Sequence, residues 1–183
     1  QKQKHALVII GDLCSQSASA LKEFLLDSPE RRRYYLSIIE ESRQQDISVI
    51  FLHSLAQIVE AQPAAEQLMQ ELEAEILPRY AKSTVSGNYL MNSLFDILRT
   101  DPFPENRHSV FHLIRSLAYH PWGVDRFLLS YPIFVDWLID RNTEITKEAK
   151  DWKYGIAEVM WRTIKQNKST CGAQLSSQNY VKV

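Results

Sequence analysis

With 183 residues, 45% of them apolar and 23% charged, the chain is long enough for one or two compact domains or a short repeat array, and disorder is not its default state. Five glycines, seven prolines and scarce β-branched alternation argue against an all-β fold. A formal net charge of −1 leaves no global basic field to draw the chain onto nucleic acid, and no run approaches the ~18 apolar residues that span a bilayer.

From residue 4 to residue 14, Leu7, Ile10 and Leu13 recur at helical spacing, and Val8 and Ile9 widen the stripe. A stripe that wide predicts a helix buried on more than one side. The apolar run is stopped too early by Gly11-Asp12 for a signal peptide, and the missing initiator Met reads as a processed chain or a piece of a longer one. Residues 15–20 are a polar break, and Leu21, Phe24 and Leu25 make a short second helix. Ser28-Pro29-Glu30 supplies an N-cap, a first-turn proline and an acid for the positive helix end. The third helix runs to about Arg43 and buries Tyr34 or Tyr35, Ile38 and Ile39. Its Arg31-Arg32-Arg33 run fans around the cylinder, so it reads as a solvated face rather than an anion site.

Asp46 caps a fourth helix with Ile47, Phe51, Leu55, Ile58 and Val59 on one face. Pro63 opens a fifth, with Leu68, Met69, Leu72, Ile76 and Tyr80 apolar and Glu66, Glu71, Glu73 and Glu75 largely outside. Pro78 is expected to kink or end that helix near Leu77. After a break at Ser86-Gly87, Leu90, Met91, Leu94, Phe95 and Leu98 form a helix that ends at Thr100. Met69 and Met91 are core filler.

Asp101-Pro102-Phe103-Pro104-Glu105 begins extended, because each proline biases its predecessor away from the helix. Pro104 opens a helix carrying Val110, Leu113, Ile114 and Leu117, which ends at His120-Pro121-Trp122. Residues 124–129 form a short middle helix, and Pro132 opens one with Phe134, Val135, Leu138 and Ile139. The last helix starts near Thr143 or Thr146 and reaches Gln166, with Trp152, Ile156, Val159, Met160 and Ile164 on one face. The tail is polar. About nine helices and no strand make an all-α chain.

An internal echo organises these helices. Phe24-Leu25-Leu26-x-x-Pro29 matches Phe127-Leu128-Leu129-x-x-Pro132 at a spacing of 103 residues (127 − 24). Ile10-x-x-Leu13 matches Ile114-x-x-Leu117 one residue further apart. Both segments run long helix, short helix, proline-started helix, the order of an armadillo unit of ~40–47 residues. The expected fold is an armadillo/HEAT-type helical solenoid, the C-terminal fragment of a longer one. Its repeats cover residues 1–45, 46–100 and 101–145, followed by a final helix over 146–168 and a tail over 169–183.

The chemistry-bearing residues form no catalytic constellation. His108 and His112 share a helix face at the spacing of a zinc-binding helix, but the glutamate of HExxH is absent and no third ligand is specified. Cys14 and Cys171 lie in no ligand-like spacing and read as idle thiols of a reducing compartment. Asn167-Lys168-Ser169 matches a glycosylation sequon that has no secretory context. No phosphate-cradling glycine loop, nucleophile elbow or Cys-x-x-Cys pair occurs. The reading is therefore no enzyme, no cofactor and no metal, and a protein-binding surface instead. Aromatic side chains are the expected anchors, with Phe103, Trp122 and Tyr180 as the candidates and inter-repeat packing as the structural alternative for the first two.

Asp101-Pro102-Phe103-Pro104-Glu105, Pro121-Trp122, Pro132-x-Phe134-Val135, Asp140-Arg141, Lys147-x-x-Lys150-Asp151-x-Lys153-Tyr154 and Tyr180-Val181-Lys182 resemble, in order and spacing, the C-terminal part of the proteasome non-ATPase regulatory subunit 5 family. The likeness is sharpest over residues 101–154 and diffuse before them, and the chain resembles roughly the last third of such a protein. The resemblance implies a non-catalytic chaperone in the cytoplasm, with the nucleus as a further compartment. It would assist assembly of the base of the proteasome regulatory particle by binding the C-terminal domain of an ATPase subunit, and would be absent from the finished particle. The family's contacts follow no short motif, so none is carried over to residues here. A general armadillo scaffold or peptide-binding transport adaptor is the alternative. The crowding of Trp122, Trp137, Trp152 and Trp161, with no matching Asn ladder, argues against a peptide groove.

Overall fold

Prolines and small polar residues decide where the helices of this chain begin. The computed structural model describes residues 2–41, 45–80, 89–130 and 132–167. In order they form α1 (Lys2–Gln16), α2 (Ala18–Leu21), a π turn (Lys22–Leu26), α3 (Pro29–Glu41), α4 (Gln45–Ala61), α5 (Ala65–Tyr80), α6 (Tyr89–Thr100), α7 (Pro104–Ala118), α8 (Pro121–Ser130), α9 (Pro132–Ile139) and α10 (Lys147–Asn167). Four of these open on proline, whose missing N–H falls where no intrahelical bond is due. Ser17, Ser28 and Thr146 accept from the backbone N–H groups of Ala20, Arg31 and Ala149 at 3.2, 3.4 and 3.2 Å, the N-cap pattern.

The described residues contain no strand, so the chain is all-α as expected, with ten α-helices rather than about nine. The polar break over 15–20 contracts to Ser17 alone, and the middle helix starts at Pro121 rather than at Val124. Pro78 does not end α5 near Leu77, because a proline in the last turn removes only one donor and the helix runs on to Tyr80. The side chains of Ile38, Ile39, Ile47, Ile76 and Tyr80, the Ser86-Gly87 break and residues 168–183 lie outside the described residues. The chain divides by packing into two units, residues 1–113 and 114–183, with the division inside α7.

In the first unit α1 packs on α4. The two helices come close at Gly11: a Cβ there would stand 2.6 Å from Ser54 Oγ and 3.1 Å from Ser54 Cα. That approach fixes which face of α1 turns inward. Leu7, Gly11 and Cys14 are buried, whereas Val8, Leu13 and the 63%-exposed Ile9 are not. The expected two-sided burial is thus corrected to one side, set by the small residue and not by the broad apolar stripe. Ser54 also bonds the hydroxyl of buried Tyr35 at 3.0 Å, while Tyr34 on the same helix is exposed. Gln62 donates to the Ser15 carbonyl at 2.5 Å and ties the end of α4 to the end of α1. Burial pushes the Cys14 thiol up to about 11.

Arg32 corrects the reading of its run as a solvated face. Only 5% exposed, it donates to the carbonyls of Leu25 and Leu26 at 2.7 and 3.1 Å and to Glu71 at 3.0 Å. Those carbonyls end the π turn and have no helical partner beyond it. Arg31 instead lies over the Phe24 ring at 4.7 Å, and Arg33 is exposed.

The second unit is built on aromatic packing. Phe127 of α8 stacks on Phe134 of α9 at 4.4 Å, and Phe134 meets Trp137 at 5.7 Å. Buried Lys153 of α10 reaches over the Trp137 ring and donates to the carbonyls of Trp137 and Asp140 at 2.5 and 2.6 Å and to Thr143 Oγ1 at 2.6 Å. It serves the carbonyl end of α9 much as Arg32 serves the π turn. Burial lowers its pKa against the opposing pull of Glu144 and Asp140. Thr163 donates to the Ala118 carbonyl at 2.8 Å and holds α10 to the end of α7.

The internal echo has a register that the letters alone misplace. Leu7, Gly11, Cys14 and Leu21 are buried, and so, at one constant spacing, are Val110, Ile114, Leu117 and Val124. One residue closer the match is as full and runs further: Ser109, Leu113, Ser116 and Gly123 are buried too, and Leu25, Arg32 and Tyr35 pair at that spacing with buried Phe127, Phe134 and Trp137. The π turn is closed by Asp27 N–H donating to the Lys22 carbonyl at 2.8 Å, a five-residue step that holds one residue more than an α turn. The echoing phenylalanines are therefore not equivalent, and the buried partner of Phe127 is Leu25.

Candidate interaction surface

Histidines were the residues with the most metal-like spacing, and the structure brings to them a third from another helix. His112 lies one turn from His108 on α7. It turns to His53 of α4, the two Nδ1 atoms standing 3.0 Å apart and the ring centroids 5.3 Å. His112 Nε2 lies 3.6 Å from Glu60. One imidazole must donate and the other accept, so the pair is satisfied when at least one ring is neutral. Burial lowers the pKa of His53, and the neighbouring His112 and His108 lower it further. Among the described residues no group of three or more His, Cys, Asp or Glu is arranged to hold a metal, and no helix is long and apolar enough to cross a membrane.

Phe103 and Trp122 fall in different units. Phe103, 51% exposed, follows the extended start of the Pro-Phe-Pro loop. Its backbone N–H donates to Asp101 Oδ1 at 2.8 Å, and the other oxygen of Asp101 accepts from Asn106 at 2.6 Å, so the loop is held from both sides. Arg107 donates back to the Leu98 carbonyl at the end of α6. Trp122 is half-buried at the first turn of α8, stacked on His120 at 5.3 Å and flanked by Arg126 at 5.9 Å. Its indole N–H is buried without a hydrogen-bond partner. Tyr180 lies outside the described residues.

The second unit carries aromatic features that were not singled out from the letters. Arg115 in the last turn of α7 and Tyr119 just past its end are four residues apart, and the guanidinium donates to the Tyr119 hydroxyl at 3.3 Å. The Arg115 guanidinium lies 6.0 Å from the Tyr119 ring and 6.0 Å from the Trp152 ring of α10, and its Nε is buried without a partner. Arg115, Glu148, Asp151, Trp152 and Gly155 line an open depression of about 220 Å³. A Cβ at Gly155 would meet nothing within 4 Å, so the glycine leaves that wall low. On the outward side of α10, Tyr154 (73% exposed) and Trp161 (49% exposed) stand two turns apart, with the Lys165 ammonium 6.0 Å from the Trp161 ring. Between them Glu158 pairs with Arg162 at 2.5 Å.

Tyr, Trp and Arg are the side chains enriched where proteins bind one another most tightly. The arrangement suits noncovalent recognition. The pattern was legible in principle: Arg and Tyr four residues apart at the end of one helix, and a Trp with acids one and four residues before it on another. What the letters could not give is that α7 and α10 bring the two sets together.

The chain matches the family described as the proteasome non-ATPase 26S subunit over residues 4–182. The human (Homo sapiens) 26S proteasome non-ATPase regulatory subunit 5 is 27% identical over 90 residues, which cover 49% of this chain and 17% of that protein. The cattle (Bos taurus) protein of the same name matches to the same extent. Only 17% of each relative's length is thus spanned by the matching segment. No solved structure matches the chain. Because the match runs over nearly all of its residues, the chain belongs to the proteasome non-ATPase 26S subunit family.

Proposed function

We propose that this protein takes part in proteasome assembly, as a non-catalytic chaperone that holds an ATPase subunit of the regulatory-particle base by its C-terminal domain. The observation that carries the reading is the family match over residues 4–182, with relatives named as a proteasome regulatory subunit. Exposed Tyr154 and Trp161 and the Arg115–Trp152 depression supply contact chemistry of the kind that protein partners use. The peptide-groove alternative asks for tryptophans at equivalent exposed positions. Trp137 is instead buried among Phe134 and Lys153, which weakens that alternative.

The test is a pull-down of the purified C-terminal domains of the proteasomal ATPase subunits on the immobilised chain. Retention of one subunit over the others is expected, together with absence from mature, doubly capped proteasomes. Stoichiometric presence in the mature particle would overturn the chaperone reading.

A further inference from the structure

His53 of α4 and His112 of α7 stand 59 residues apart in sequence, yet their Nδ1 atoms meet at 3.0 Å. Two nitrogens bound to one divalent ion at ~2.0–2.1 Å are themselves about 2.9–3.4 Å apart, the range from right-angled to tetrahedral coordination. The pair therefore has the bite of two metal ligands, with no movement asked of either helix.

The surroundings fix which nitrogen carries the proton. Glu60, also on α4, faces Nε2 of His112 at 3.6 Å. Beside that carboxylate a neutral His112 keeps its proton on Nε2 and turns a lone pair at Nδ1 toward His53. A carboxylate behind the imidazole is the arrangement that orients metal-ligating histidines. His53 has a pKa lowered by burial and by His112 and His108, so it is neutral at pH 7, the form a metal requires. Both rings are only partly buried, which leaves them within reach of an ion from solvent. Imidazole selects ions such as Zn²⁺ and Cu²⁺, whereas Mg²⁺ and Ca²⁺ take oxygen ligands.

We propose that His53 and His112 form an open site for one divalent transition-metal ion, Zn²⁺ or Cu²⁺, with Glu60 as the positioning residue. Two protein ligands leave the other coordination positions to water. The ion takes the place of the proton between the two Nδ1 atoms, that proton moves to Nε2 of His53, and α4 becomes tied to α7. His108, the ligand that same-helix spacing suggests, has no part in this assignment. The site is independent of the assembly role.

The test uses the chain without an affinity tag and with Cys171→Ser, so that this thiol takes no part. Zn²⁺ is titrated in a calorimeter, with Mg²⁺ as comparison. Saturable uptake of one Zn²⁺ per chain is expected, together with a rise in the urea midpoint that Mg²⁺ does not give. His53→Gln and His112→Gln should each abolish the uptake, and Glu60→Gln should weaken it about tenfold. His108→Gln should leave it unchanged. Far-UV circular dichroism of each variant shows that its helices are intact. No saturable uptake by the parent chain, equal uptake of Mg²⁺, survival of uptake in His53→Gln or His112→Gln, or an equal loss in His108→Gln would each overturn the site.

Discussion

Alanine at Gly11 and alanine at Gly155 should move stability in opposite directions, although the two substitutions are chemically identical. Both glycines sit inside α-helices, where alanine is favoured by about 0.8–1.0 kcal/mol. At Gly155 a new methyl meets nothing within 4 Å, so the full gain is expected. At Gly11 the methyl would stand 2.6 Å from Ser54 Oγ, 3.0 Å from Ser54 Cβ and 3.1 Å from Ser54 Cα. The hydroxyl is held by Tyr35 at 3.0 Å, and the Cα cannot swing aside. Relief requires α1 to back away from α4 and loosen Leu7 and Cys14, an overpacking cost of about 1–3 kcal/mol. The net effect at Gly11 is a loss of about 1 kcal/mol, against a gain of about 1 kcal/mol at Gly155. Urea unfolding followed by far-UV circular dichroism gives the sign. Hydrogen exchange of the α1 and α4 amides, or of the α10 amides, confines each effect to its unit. A Gly11→Ala protein more stable than the parent would refute the close approach between α1 and α4.

Two further outcomes follow from the buried charged and titratable groups. Arg32→Met keeps the length of the side chain but removes the donor to Leu25, Leu26 and Glu71, and should cost about 2–4 kcal/mol, with Arg32→Lys intermediate; a loss below about 1 kcal/mol for Met would mean that water replaces the guanidinium. For His53 the folded pKa is lowered by burial and by two neighbouring histidines, so the unfolded chain binds the proton first as pH falls. Stability is then full above the unfolded value of about 6.5 and declines as pH drops through it towards the folded value. His53→Gln should flatten the dependence of the urea midpoint on pH between about 7 and 5, and an unchanged slope would assign the acid sensitivity to other groups.

The helices were legible because punctuation and periodicity agree in this chain. Pro29, Pro104 and Pro132 each mark a helix start, and Val110, Leu113, Ile114 and Leu117 are all buried as their spacing requires. The readings that failed did so where a tertiary contact outweighs a pattern. Val8, Ile9 and Leu13 look as apolar as Leu7, yet the inward face of α1 is set by the approach at Gly11, which depends on Ser54 more than forty residues away. Arg32 looks like its neighbours in a triplet, but it is the buried one, and it donates to the Leu25 and Leu26 carbonyls at the end of the π turn. The letters align Phe24 with Phe127, whereas burial aligns Leu25 with Phe127, because a side chain's place in the core is set by packing and not by its residue type.

The surface was less legible than the fold. Exposed aromatics were sought at loops and turns, and Phe103 is exposed in its loop. Trp152 was assigned to the core face of its helix; it is half-buried at the edge of that face, where a side chain has both packing and an accessible ring. Periodicity sorts residues into inside and outside, and an interaction site of this kind occupies the boundary between them. The His53–His112 contact was illegible for another reason. Same-helix spacing pointed to His108, whereas the partner comes from α4, 59 residues away in sequence.

Cys14 gives the first unit a chemical stopwatch. Its thiol is fully buried and its pKa is pushed up to about 11, so alkylating reagents meet almost no thiolate until α1 lifts from α4. In a Cys171→Ser background, the labelling rate of Cys14 divided by that of a free thiol is the fraction of time this unit stands open. Each tenfold slowing corresponds to about 1.4 kcal/mol of opening free energy. The same stopwatch run with an ATPase domain present would report whether a partner clamps the first unit, with no label added to the protein beforehand.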